Sequence, residues 1–194
     1  MSDAQAIRLA TLVALVQKRP GLGRTALMKL CYFLQALRQV PLGYRFTLYS
    51  YGQIESAVLS DLGSAESLGA LRSRLIQYPG GYGYEIEPTK MSESVTELAP
   101  EFVAKHEYDI NWVVSRFGEF RRSDLELLST IIYVDREYAD SSKSLSKEEI
   151  VRKVHEIKPN FNEDYIRDKV DYLGGLDLFE SVISPKSRAA RQCN

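Results

Sequence analysis

Residues 71–78 alternate Leu71, Ser73, Leu75 and Gln77 against Arg72, Arg74, Ile76 and Tyr78. They run into Pro79-Gly80-Gly81, after which residues 82–87 alternate Tyr82, Tyr84 and Ile86 against Gly83, Glu85 and Glu87. Period two on both sides of a glycine-rich turn specifies a β-hairpin. What precedes it is helical. Residues 4–18 place Leu9, Leu12, Val13 and Val16 on one helical stripe that stops at Pro20-Gly21. Residues 25–38 put Leu27, Leu30, Cys31, Leu34 and Leu37 on another, and the 19–24 connection is short enough to force a tight helix–turn–helix. Residues 44–51 alternate Phe46, Leu48 and Ser50 against Arg45, Thr47 and Tyr49, which predicts a strand, and 54–62 return to helical spacing through Ile54, Val58 and Leu62. Helices followed by a β-hairpin give a winged-helix order, with the hairpin as the wing.

Residues 88–97 are polar and rich in Ser and Thr, the pattern of a linker. Beyond them the chain reads as helix. Pro100 suits a first turn, and Ile110, Val113, Val114 and Phe117 form the next stripe. Ser123 precedes a helix carrying Leu127, Leu128, Ile131 and Val134. Ser146 with Glu149 has capping-box spacing ahead of Ile150, Val154 and Ile157, and Asn162 precedes Ile166, Val170 and Leu173 before Gly174-Gly175. The expected fold is therefore mainly α with a small β component (α+β). A winged-helix-like unit with a hairpin wing occupies residues 1–90, and a helical unit with a loose tail occupies 91–194; a single compact domain is the alternative division.

The chain has 194 residues, 44% of them hydrophobic and 26% charged, enough for one domain or two small ones and too ordered for a disordered chain. Two cysteines, Cys31 and Cys193, make no disulfide framework. Asp3 and Gln5 stand where a signal peptide needs a basic start and an apolar run, and no stretch approaches the ~20 apolar residues that span a bilayer. The expectation is a soluble, cytoplasmic protein without a membrane partner. Residues 1–90 carry ten Lys/Arg against six Asp/Glu, a net +4, and residues 91–194 carry fifteen against twenty, a net −5. A basic front and an acidic back suggest unlike partners for the two ends.

The run Arg24-Thr25-Ala26-Leu27-Met28-Lys29-Leu30-Cys31-Tyr32-Phe33-Leu34-Gln35, followed by Leu42-Gly43-Tyr44-Arg45-Phe46 and Tyr49-Ser50-Tyr51-Gly52, resembles the YwgA-like family. More distantly it is similar to the Panacea antitoxin domain, whose members carry a comparable helix before a tyrosine-glycine element, and to the C-terminal region of DarG-type antitoxins. The later segments Asp124-Leu125-Glu126-Leu127-Leu128-Ser129-Thr130-Ile131 and Ile157-Lys158-Pro159-Asn160-Phe161 share the likeness, which spans most of residues 4–175. Where the family reads tyrosine-glycine-proline, this chain has Tyr51-Gly52-Gln53 and loses the φ restraint of proline at that turn. The resemblance implies a module that restrains a toxin by direct binding.

Enzyme chemistry finds little support, and no catalytic, cofactor-binding or metal-ligating residue is assigned. His106 and His155 lie far apart in sequence, with no set of ligands at helical spacing. Cys31 falls on an apolar stripe, where packing outweighs nucleophilicity. Gly80-Gly81-Tyr82-Gly83 lacks the helix and the Lys-Ser/Thr of a phosphate loop, so a hairpin turn is the better reading. Two binding readings remain. A DNA-binding regulator would use its winged helix, with Arg24 and Lys29 near the start of the second helix and Arg45, Arg72 and Arg74 beside them as phosphate contacts. A protein-binding module would use aromatic anchors such as Tyr49 and Tyr82, with the exposed acids Glu148, Glu163 and Asp164 facing a basic partner such as a toxin. The second reading, a non-enzymatic antitoxin-like or defence-associated module needing no cofactor, is preferred.

Overall fold

A computed structural model of the chain describes residues 1–49, 52–54, 56–79, 81–141 and 144–181, with only the backbone of residues 48, 49 and 52–54. The fold is mainly helical with a small β component that includes one antiparallel hairpin, as the sequence implies. It divides into two compact units. The first comprises Met1–Thr47 and Ile54–Leu125, the second Leu48–Gln53 and Glu126–Asn194.

In the first unit, α1 (Asp3–Lys18) opens on Ser2, whose hydroxyl caps the Gln5 amide, and buries every residue from Leu9 to Val16. A helix buried so completely is the centre of its unit rather than an amphipathic surface helix. α2 (Arg24–Arg38) buries Leu27 through Leu34 in the same way. Between them, Gly21 donates to the Ile86 carbonyl at 3.0 Å and Ile86 donates to the Leu22 carbonyl at 2.9 Å, an antiparallel bridge that pins the α1–α2 connection to the hairpin. β1 (Thr47–Tyr49) and β2 (Gly52–Ile54) pair with one another, and all of this pair but Thr47 and Ile54 belongs to the second unit. Next come α3 (Ser56–Ser67) and the wing, β3 (Leu71–Tyr78) against β4 (Gly81–Pro88), paired Leu71 to Pro88 through Tyr78 to Gly81. The glycine at 81 has φ +133°, a conformation that a side chain would strain. The order helix, bridge, helix, helix, hairpin is that of a winged helix with residues 39–55 inserted before the third helix.

The strand expected over 44–51 is shorter than its alternation suggests. Residues 44–46 belong to no strand, and at Tyr44 the Gln35 side chain takes the place of one: its Oε1 accepts from the Tyr44 amide at 2.8 Å and its Nε2 donates to the Tyr44 carbonyl at 3.1 Å. Positions 50 and 51 lie outside the described residues, as does the tail beyond 181.

Residues 88–97 are not a linker. They form a turn and the short helix α4 (Ser92–Thr96), with Ser92 and Val95 buried and the Ser92 hydroxyl donating to the Ala70 carbonyl at 2.7 Å. α5 (Pro100–Lys105) buries none of its residues, and α6 (Glu107–Phe117) then completes the first unit's core with Ile110, Val113 and Phe117, the last meeting Phe33 of α2 at 4.4 Å between ring centroids. The boundary therefore falls between Leu125 and Glu126, not at 90/91, because the apolar stripe of α6 is spent on α2. Charge follows the boundary. Counted over the observed units, the first holds fourteen basic and thirteen acidic residues and the second eleven and thirteen, so the +4/−5 contrast shrinks to +1 and −2.

The second unit takes most of α7 (Arg122–Asp140), then α8 (Lys147–Ile157) and α9 (Glu163–Gly175). Ser146 and Glu149 form the expected capping box, and the Asn162 side chain caps α9. Ile150, Val151, Val154, Ile166, Val170 and Leu173 supply its core. Asp135, fully buried on α7, accepts from the Glu180 and Ser181 amides at 2.9 Å each and from the Ser181 hydroxyl at 2.6 Å, and it is ion-paired with Arg136. That carboxylate ties the segment after α9 to α7.

Candidate functional site

The five arginine and lysine positions proposed from sequence as nucleic-acid contacts do not form one cationic surface. Lys29 is only 1% exposed, since it lies on the α2 turn that is buried all round, and no phosphate reaches it in this conformation. Arg24 is half-buried, its guanidinium 3.7 Å from the centroid of the Tyr84 ring, where a cation–π contact holds the start of α2 to the wing. Arg45 is exposed on the segment before β1. Arg72 and Arg74 are exposed on β3, but the register places Glu87 and Glu85 directly opposite them. Arg74 stands 3.5 Å from Glu85 and 3.7 Å from Glu87. The carboxylates offset the positive face of the wing. The helix directly ahead of the wing is α3, not α2, and it has no lysine or arginine. The helical spacing over 54–62 is this third helix, and the basic N-terminus of α2 lies one helix further from the wing than a reading helix would.

The same surface is apolar and aromatic. The face of the hairpin that starts in the core with Leu71 and Ile86 continues outward through the cross-strand pairs Leu75–Tyr84 and Gln77–Tyr82. There Leu75 is 60% and Tyr82 72% exposed, and Tyr84 is exposed beyond its contact with Arg24. On the opposite face Tyr78 lies over Gly83, where an added Cβ would come within 2.9 Å of its ring, and its hydroxyl donates to Glu85 at 2.9 Å. That hydrogen bond raises the phenol above its ordinary range. Leu59 and Leu68 add exposed apolar area at α3, and a shallow groove between α1 and α3 is floored by Leu9, Gly63 and Ser64. Large apolar side chains concentrated on one hairpin mark an interaction surface rather than scattered exposure.

Of the residues expected at a protein interface, Tyr82 is the most exposed tyrosine of the wing. The Tyr49 side chain lies outside the described residues. Glu148 and Asp164 both pair with Arg167, at 3.1 and 2.6 Å, and Glu163 is exposed in the first turn of α9. With Arg167 between them, Glu148 and Asp164 do not present the bare acidic face that charge counting suggested.

Two polar clusters lie elsewhere in the first unit. Asp61 is buried and accepts from Arg8 Nε at 2.6 Å and from the Tyr44 hydroxyl at 2.9 Å. Burial foremost, with the Asp61 charge beside it, pushes both the Tyr44 phenol and the Cys31 thiol far above their ordinary ranges. A thiol held protonated is neither a nucleophile nor a metal ligand at neutral pH. In a Cys193→Ser background Cys31 should therefore resist thiol reagents in the native protein and react at the free-thiol rate once denatured. Native labelling within minutes, measured by intact mass, would contradict its burial. The second cluster joins His106 Nδ1 to Asp109 at 3.1 Å and Arg38 to Asp109 at 2.7 Å. Burial raises the Asp109 carboxyl, but the hydrogen bonds from His106 and Arg38 outweigh it and leave the group below its ordinary range.

No protein-family model matches the chain, and no curated protein sequence matches it. The fold and the wing surface thus define the class by themselves, an α+β module of winged-helix order with an aromatic wing. No helix among the described residues is long and apolar enough to cross a membrane.

Proposed function

We propose that the chain is a non-enzymatic protein-binding module, antitoxin-like or defence-associated as its resemblance to YwgA-like proteins suggests, and that it acts inside the cell. One observation carries this reading. At the place where a winged helix would meet DNA, α3 has no cation, the arginines of the wing face glutamates, and Leu75, Tyr78, Tyr82 and Tyr84 are exposed. Tyrosine anchors beside aliphatic groups are the composition of an interface core, and a duplex would demand the opposite. The paired state of Glu148 and Asp164 moves the emphasis from charge on the second unit to apolar contact at the wing.

Pull-down from the native host followed by mass spectrometry identifies the partner. In the purified pair, Tyr82→Ala should speed dissociation about tenfold, the effect of losing a contact worth ~1.4 kcal/mol, with little change in the association rate. Fluorescence anisotropy on duplex DNA should show weak binding that Arg72→Glu with Arg74→Glu leaves unchanged. Tight DNA binding that collapses in that double variant, with no stoichiometric protein recovered, would replace this reading with the DNA-binding regulator.

A further inference from the structure

The first unit carries an open cleft to which the wing contributes no residue. α1 packs against α4 and α5, and between α1 and residues 98–102 lies a cleft of about 350 Å³. Asp3, Ala6 and Ile7, at helical spacing on one face of α1, line one wall, and Leu98, Glu101 and Phe102 line the other. Between the two acids the lining is apolar. Leu98 is 39% exposed, and α5 buries none of its residues although Phe102 and Val103 are large and apolar. A helix of six residues owes its stability to packing rather than to propensity, so apolar groups left open on it offer a partner a surface to cover.

Charge selects the occupant. Residues 1–7 and 91–104, which supply both walls and α4, hold the acids Asp3, Glu93, Glu97 and Glu101 and no lysine or arginine. All four are exposed. Elsewhere in the unit Asp61, Glu85, Glu87, Glu107, Asp109 and Glu119 are each ion-paired. The four acids around the cleft have no such pair among the described residues. Lys90 and Lys105 bound the acidic stretch in sequence but do not line the cleft. We infer that the cleft docks a basic segment of a partner protein, seating one aliphatic or aromatic side chain between α1 and α5 with a lysine or arginine on either side, one toward Asp3 and the other toward Glu101. Carboxylates on both walls fix the register of such a segment and reject acidic ones, while the apolar side chain supplies the burial. This goes beyond the protein-binding reading, which uses the tyrosines of the wing; none of those lines the cleft.

Random peptides displayed on phage and selected on the full chain should be enriched in a large apolar residue flanked on both sides by lysine or arginine. In fluorescence anisotropy with the best such peptide, Asp3→Lys combined with Glu101→Lys should weaken binding about tenfold or more, with an unchanged circular dichroism spectrum. Asp3→Asn with Glu101→Gln, which keeps size and removes charge, should weaken it less. Raised salt should weaken binding to the wild type and have little effect on the lysine variant. Tyr82→Ala should leave the affinity unchanged, so a failure here and a failure of the wing reading are told apart. No enrichment, selection of uncharged or acidic peptides, equal binding to the lysine variant, or affinity lost in Tyr82→Ala would each overturn the proposal. A dimer of the free chain that the lysine variant dissolves, seen by sedimentation, would overturn it too and give the cleft to a second copy.

Discussion

Asp135→Ala is expected to destabilise the second unit by about 3–5 kcal/mol, the penalty for removing one partner of a buried, hydrogen-bonded ion pair. The carboxylate is fully buried and serves the Glu180 and Ser181 amides, the Ser181 hydroxyl and Arg136 at once. Alanine would leave those donors facing a void that water fills poorly. Arg136 also donates to the Leu178 carbonyl at 3.1 Å and pairs with Glu180, so the whole segment after α9 depends on this corner. Thermal unfolding should begin roughly 10 °C lower, and hydrogen exchange should show the amides of 178–181 losing protection. Asp135→Asn, which keeps one acceptor, should cost less. An alanine variant with wild-type melting would mean that the corner is ornamental.

The second large effect is expected in the first unit. Phe33→Ala should cost about 3–5 kcal/mol, the usual range for removing a buried aromatic ring. Phe33 is fully buried and touches Tyr32 and Phe117, the latter at 4.4 Å. Because Phe117 belongs to α6, this substitution also tests the unit boundary. Phe117→Ala should depress the same unfolding transition, and the double variant should cost less than the sum of the singles, since both remove one shared contact. If Phe117→Ala instead shifted a separate transition along with residues of α8 and α9, the first unit would end before α6.

The hairpin, the buried stripes of α1 and α2 and the caps of α8 and α9 were all readable from residue pattern, because each is set by local chemistry: alternation, spacing, a serine three residues before a glutamate. What could not be read is what depends on distant partners. The segment 88–97 looks like a linker until Ser92 finds the Ala70 carbonyl. Residues 44–46 look like a strand until Gln35, nine positions upstream of Tyr44, satisfies that backbone with its side chain. Lys29 counts as a surface cation in any helical wheel that leaves one face wet, and α2 leaves none over that turn. The wing surface was half readable. Its tyrosines and arginines were visible, but the opposition of Arg72 to Glu87 and of Arg74 to Glu85 emerges only once the register is fixed.

The attachment of the wing has a mechanical consequence. Its base is built in, by Leu71 and Ile86 in the core, by the bridge to Gly21 and Leu22 and by Arg24 on Tyr84, while Tyr78 and Tyr82 at the far end are exposed. It is a cantilever. Eight residues at about 3.3 Å each give an arm of roughly 26 Å. A load at the tip is transmitted as torque to the five-residue connection between α1 and α2, where both helices are anchored. A partner seated on the tyrosines would act at the far end of that arm, and a small rotation at the root would move the contact by a distance that grows with the arm's length.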